Sequence, residues 1–320
     1  YEVEALVESG LVIDRVEEDG SHHKRYDRFR DRIMFPIRNT KGQVIGFGGR
    51  VLDNGEPKYL NSPETPLFQK GSELYGLFEA RQAIREAGYA LVTEGYMDVV
   101  ALAQLGFPQA VATLGTACTP IHVQKLLRQT DQVIFSFDGD KAGRRAARRA
   151  LEASLPHAGD NKVIKFLFLP SEHDPDSYIR ELGSEAFEKQ VQDAMPLSQF
   201  LLKEAVGDND LGTPEGRARA QFDAKPLLQA LPPSSLRLQI VRSLAQITES
   251  TPAEIEALFE LSQPISHVRA PPPRTKRAAP QGLERQIIRL LVAHPVLAAE
   301  MDQTAIDAAV RLAPDGEEML

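Results

Sequence analysis

Six carboxylates stand where a repeated strand and helix pattern would bring them to one crevice. The strand-like run YALVT ends at Glu94 with Gly95 beside it, VIFSF ends at Asp138-Gly139-Asp140, and KFLFLP runs out near Asp174-Pro175-Asp176. Asp98 lies four positions after Glu94, one turn into the helix that Gly95 opens, a spacing that puts both toward the same crevice. Carboxylates crowded together repel one another unless a cation neutralises them or some keep their protons. With oxygen donors alone and no nearby His or Cys pair, the matching cation is Mg²⁺ or Mn²⁺, held by one or two carboxylates and completed by water and phosphate oxygens. Such a centre supports metal-assisted phosphoryl transfer. Taken singly, the same acids are turn formers and helix N-caps. Three acidic strand ends in one sheet favour the metal.

The acids converge only if the flanking segments build a sheet. From Gly71 the chain alternates: helix-like LYGLFEARQAIREAG, strand YALVTEG, helix YMDVVALAQLG, strand AVATLG, helix TPIHVQKLLRQ, strand QVIFSFDGD, helix KAGRRAARRALEASL and strand KVIKFLFLP. This alternation predicts βαβ units and a mostly parallel sheet covered on both faces, whose ligands bind beyond the carboxyl ends of the strands. The expected class is therefore α/β, α+β overall. A basic strand-rich subdomain rich in turn signals spans 1–70, the parallel-sheet subdomain 71–180, and a helical bundle 181–263. APPPRTKRAAP marks a Pro-rich linker over 264–281. The apolar stripe Leu283, Ile287, Leu290 and Leu291 opens a further helical unit over 282–320.

The composition is that of an ordinary globular chain: 320 residues, 42% hydrophobic and 26% charged, with 22 Gly and 22 Pro, which excludes fibrous and wholly disordered classes. One cysteine, Cys118, forbids an internal disulfide and a Cys-rich zinc cluster, so no zinc is expected in this stretch, and a reducing, cytoplasmic location is. No apolar run is long enough for a membrane span and the acidic start YEVEALVESG is no signal peptide, so no membrane partner is expected. Tyr1, in place of an initiator Met, reads as the start of a piece of something longer. The net charge of −8 is unevenly spread. His22 to Lys58 carries nine Lys or Arg against four acids, and Lys141 to Arg149 five cations and no acid, which suits a binding groove for a polyanion. Arg144, Arg145, Arg148 and Arg149 form a stripe that reads equally as a solvated outer face or a nucleic-acid contact. The seven His residues lack zinc spacing and suit surface roles. GFGGR has neither dinucleotide-site nor P-loop spacing.

EGYMDVVAL followed by FDGDKAGRRAA resembles the Toprim domain of bacterial DnaG-type primases, and RYDRFRDRIMFPIRNTKGQVIGFGGR and PKYLNSPETPLFQKGSELYGL are similar to the same family's core. The resemblance implies that Glu94, Asp138 and Asp140 are catalytic and hold two or more Mg²⁺ or Mn²⁺ ions, with Asp98, Asp174 and Asp176 completing the cluster. Whether Glu94 is a ligand or a general acid or base stays open. Arg28, Arg30, Arg50, Lys58 and Lys70 would line the groove beside the metals, Tyr59 and Asn61 would stack on or hydrogen-bond a nucleotide, and Lys141 would tune Asp140 or touch phosphate. The implied activity is synthesis of short RNA primers on single-stranded DNA from ribonucleoside triphosphates, leaving an RNA–DNA hybrid. A replicative helicase would bind through a domain after the core. Other Toprim enzymes, nucleases and topoisomerases, share the Glu and Asp-x-Asp pattern and are the alternative. They would need a cleavage tyrosine in a separate strand-passage domain or a fused ATPase, neither of which is visible.

Overall fold

The computed structural model describes residues 2–16, 23–52, 55–261 and 302–304. The Pro-rich linker 264–281 and nearly all of 282–320 lie outside the described residues. Residues up to Leu261 form one compact unit.

The chain opens with α1 (Val3–Glu8) and an antiparallel hairpin of β1 (Val12–Val16) and β2 (His23–Asp27). A second antiparallel sheet follows, β3 (Arg32–Arg38), β4 (Val44–Val51) and β5 (Tyr59–Asn61). Its register sets Ile33 beside Arg50 beside Tyr59, and Phe35 beside Gly48 beside Asn61. With a period of two these residues share one face. That face is seated by Ile37 and Phe68, both fully buried against Leu114 of the parallel sheet's loops.

After α2 (Leu77–Ala87) come β6 (Ala90–Thr93), α3 (Tyr96–Gln104), β7 (Ala110–Ala112), α4 (Pro120–Leu127), β8 (Gln132–Phe137), α5 (Lys141–Ser154) and β9 (Val163–Phe168). Then follow α6 (Pro175–Leu182), α7 (Ser184–Gln192) and β10 (Met195–Pro196). The strand order is β10-β9-β8-β6-β7, parallel except for the β10 edge. Its central strands are buried on both faces, which is why they read as continuous apolar runs. Val92, Val133, Phe135 and Ile164 face α4 and α5, while Leu91, Ile134 and Leu167 face α3 and α6.

Strand β7 lies on one side of β6 and β8 on the other, so the chain reverses direction across the sheet at β6. In open α/β sheets such a switch point leaves a crevice at the strands' carboxyl ends, here between β6 and β8. Helices α8 (Leu197–Val206), α9 (Pro214–Ala230), α10 (Ser235–Ile247) and α11 (Pro252–Leu258) continue the α4 and α5 side of the core through Phe200, Leu228, Leu244 and Phe259.

Candidate active site

Glu94 ends β6 and Asp138 ends β8, so both stand at the switch-point crevice. Two glycines let the backbone reach this arrangement. A Cβ at Gly139 would overlap the Leu169 carbonyl oxygen and lie 2.9 Å from the Ser171 nitrogen, and a Cβ at Gly143 would overlap the Asp138 carbonyl. The Asp138-Gly139-Asp140 turn is thus wedged against the end of β9 on one side and the first turn of α5 on the other.

The acids influence one another. Partial burial first, then the charges of Asp138, Asp140 and Asp98, raise the Glu94 carboxyl above its usual range, partly offset by the Asp138 backbone amide. Burial, Asp140 and Asp174 raise Asp138. Burial raises Asp98 to about 6, against the Gly95 N–H that donates to it at 3.1 Å and with the repulsion of Asp138, Asp174 and Asp176. The six carboxylates picked out in the sequence therefore share one electrostatic neighbourhood.

Their local duties differ. Asp140 caps α5, accepting the Gly143 N–H at 2.7 Å, and Asp174 caps α6, accepting the Ser177 N–H at 2.8 Å. Asp98 accepts from Gly95 and Asp176 pairs with Arg180 at 2.7 Å. Glu94 and Asp138 have no capping role and no ion pair among the described residues. Asp98, Asp140, Asp174 and Asp176 are thus each committed to a local structural contact.

Among the described residues, no three His, Cys, Asp or Glu side chains close around a single point as a preformed cage would. An all-oxygen set of mutually repelling carboxylates fits a hard cation that takes one or two of them and completes its shell with water and phosphate. It does not fit zinc, whose structural sites use four closed ligands.

A carboxylic acid whose folded pKa lies above its unfolded value stabilises the fold at low pH and loses that contribution as pH rises. For Asp98 the contribution is complete below about pH 4 and lost through about pH 6, a difference of about 3 kcal/mol by pH 7.5. About 0.8 kcal/mol of that falls between pH 5.5 and pH 7.5, so the metal-free chain is expected to melt about 2 °C higher at pH 5.5 than at pH 7.5. Millimolar Mg²⁺ at pH 7.5 should recover much of that difference. Scanning calorimetry checks both, and a higher melting point at pH 7.5 without metal would contradict the coupling of the acids.

The basic sheet meets this crevice through Tyr96, the first residue of α3. Its hydroxyl donates to the Gly49 carbonyl at 3.1 Å, and its ring packs on Phe35 at 4.8 Å, Tyr59 at 5.6 Å and Tyr75 at 5.7 Å. Burial, then Tyr59, raise its hydroxyl to about 12 despite Arg32 and Arg50, so it stays a neutral donor. The sequence pattern marks Tyr96 only as a helix-start residue. Its place directly after Glu94-Gly95 was the available signal for a role at the site.

Arg50, Tyr59 and Asn61 share the sheet face that Tyr96 closes. The Arg50 Nε and the Asn61 Oδ1 are buried without a hydrogen-bond partner, an unusual pair of orphans on one face. The Asn61 amide donates to the Leu114 carbonyl at 3.0 Å, tying β5 to the loop after β7. Lys58 lies over the Tyr59 ring at 5.7 Å. Arg28 is turned elsewhere, its Nε donating to Gly10 at 2.8 Å, and exposed Arg30 stacks over Tyr26 at 5.0 Å. No hydrogen bond or ion pair joins Arg30, Lys70 or Lys141 to the acids among the described residues. Lys70 is held by its backbone, whose carbonyl meets His122 Nε2 at 2.9 Å. His122 is fully buried, contrary to the surface role expected of it. Its other ring nitrogen accepts from the Thr119 amide, and burial lowers its pKa, so it stays neutral.

Three family models match in chain order: the DNA primase catalytic core N-terminal domain over 1–81, a Toprim-like domain over 91–179, and the DnaB-helicase binding domain of primase over 198–251. The last falls on the helical bundle rather than on 282–320. The chain is 48% identical over 308 residues to the DNA primase of Neisseria meningitidis serogroup A, an alignment covering 94% of this chain and 51% of that protein. It spans about half the length of the curated relatives it matches. Among solved structures, a DNA primase domain from Pseudomonas aeruginosa superposes with a TM-score of 0.75 at 47% identity, covering 81% of this chain and 79% of that one. The DnaG primase catalytic domain bound to ssDNA superposes with a TM-score of 0.73 at 48% identity, covering 79% and 78%.

Proposed function

Since the chain belongs to the family of DnaG-type bacterial DNA primases, we propose that it is a nucleotidyltransferase that builds short RNA primers on single-stranded DNA from ribonucleoside triphosphates. The observation that carries this reading is the gathering of carboxylates at the switch point, where burial and then acidic neighbours raise Glu94 and Asp138, beside a sheet face with two orphaned polar atoms. Glu94, Asp138 and Asp140 would hold divalent ions, with Asp98, Asp174 and Asp176 around them. Bound there, Mg²⁺ or Mn²⁺ supplies activation of the attacking hydroxyl and neutralisation of the leaving pyrophosphate. The chain's own part is to orient the substrates. Arg50 and Asn61 offer polar groups to a nucleotide, Tyr59 a ring to a base, and Lys58 and Lys70 cations to phosphate. Arg28, turned to Gly10, supports the hairpin in this reading, and Arg30 and Lys141 are exposed cations for the template backbone.

Template DNA, triphosphates and the RNA–DNA hybrid are the expected partners, and the 198–251 match supports a helicase contact on the bundle. No helix among the described residues is long and apolar enough to cross a membrane.

Incubation with single-stranded DNA, labelled ribonucleotides and Mg²⁺ should yield short RNA. Cut or relaxed DNA would favour a nuclease or topoisomerase, and binding alone would overturn the enzymatic reading. In the same assay Lys58→Ala is expected to weaken DNA binding and to reduce the slope of log affinity against log salt by about 0.7 to 0.9. An unchanged slope would remove Lys58 from the phosphate contacts.

A further inference from the structure

Template-directed synthesis begins with two free nucleotides, and the first has no preceding strand to hold it. It needs a seat of its own next to the acids. On the α5 side of Glu94 lies a cavity of about 300 Å³ whose walls include Glu94, Thr113, Thr116 and Phe137, with Arg145 and Arg149 also lining it. Its volume is at the lower end of ordinary small-molecule sites, suited to a base and ribose with the phosphates left toward the opening. Gly115, another of its lining residues, sits against Asn61, a Cβ there lying 3.3 Å from the Asn61 Nδ2, so the cavity borders the sheet face that carries Arg50, Tyr59 and Asn61.

The two arginines stand one helical turn apart and are exposed. Among the described residues neither has an ion pair or side-chain hydrogen bond. Their helical neighbour Arg148 is engaged by Glu152 and Glu204, whereas Arg144 lines a different cavity. Arg145 and Arg149 are the members of the stripe that line this cavity.

We propose that this cavity holds the initiating nucleoside triphosphate, its polyphosphate on Arg145 and Arg149 and its ribose end toward Glu94. Guanidinium forks suit phosphate oxygens, and the threonine hydroxyls suit ribose. In the step served, the 3′ oxygen of the seated nucleotide bonds to the α-phosphorus of the incoming one. The bond from that phosphorus to the bridging oxygen breaks, pyrophosphate leaves with the electron pair, and the hydroxyl proton passes to water. The inference rests on the primase reading above.

The test compares two reactions of the full chain, dinucleotide formation on an unprimed template and extension of an RNA primer already annealed. Arg145→Ala/Arg149→Ala is expected to raise the KM for the first nucleotide about 30-fold and to change extension by less than about threefold. The retained extension shows that the variant is folded. Equal losses in both reactions would assign the arginines to strand binding, and no loss in either would leave the cavity without this role. Each overturns the proposal, as does a wild-type chain that extends but never starts. If the wild type neither starts nor extends, the primase reading itself fails.

Discussion

Glu94→Gln and Asp138→Asn are each expected to lower primer synthesis by about a thousandfold or more, with single-stranded DNA affinity within about twofold of wild type. Both substitutions keep the size of the side chain and remove its charge. Neither residue caps a helix or holds an ion pair among the described residues, so no structural contact of that kind is lost. Each is raised by burial and by its acidic neighbours, and removing one charge relieves the others. The variants should therefore melt no lower than wild type without metal. Loss of activity in a chain of equal or greater stability separates a chemical role from a folding defect. Normal polymerisation by either variant would show that the residue is not part of the centre.

Gly139→Ala is expected to cost about 100-fold in synthesis and about 2 to 3 kcal/mol in stability. The added methyl would overlap the Leu169 carbonyl oxygen and lie 2.9 Å from the Ser171 nitrogen and 3.1 Å from the Pro170 carbonyl carbon. These are backbone atoms, which cannot swing aside as a flexible side chain can. The turn carrying Asp138 and Asp140 must then shift relative to Glu94, and displacements near 1 Å are enough to disrupt in-line attack. Gly95→Ala is the control, because the nearest atom to its Cβ is the Asp98 carboxylate at 3.5 Å, an ordinary contact. Thermal melts and primer synthesis on both variants check this. A Gly139→Ala chain that melts and polymerises like wild type would show that the turn is not wedged.

The parallel sheet and its acidic strand ends were legible because period and composition change together at each boundary. A continuous apolar run such as VIFSF followed by Asp-Gly-Asp carries its fold and its chemistry in adjacent residues. The strand-rich region was legible from its turns, although β1 lies ahead of the stretch whose turn signals predict strands. What escaped the sequence depends on contacts between distant residues. Tyr96 meets Phe35, Tyr59 and Tyr75 only after the basic sheet has packed on the parallel one. Arg28 and Arg50 have the same letter, yet one closes the hairpin on Gly10 and the other leaves a buried nitrogen unpaired. Asp174 and Asp138 likewise look alike in sequence, and only the structure separates a helix cap from an uncommitted carboxylate. His122 is buried because the loop at Lys70 and the start of α4 fold onto it.

The central claim is that the carboxylates at the ends of β6 and β8 form a divalent-metal centre. Diffraction at the manganese edge from crystals of the chain soaked in Mn²⁺ tests it most directly. The account predicts anomalous peaks within bonding distance of Glu94 and Asp138 oxygens. Peaks only elsewhere, or none at saturating Mn²⁺ with the crevice open to solvent, would contradict it.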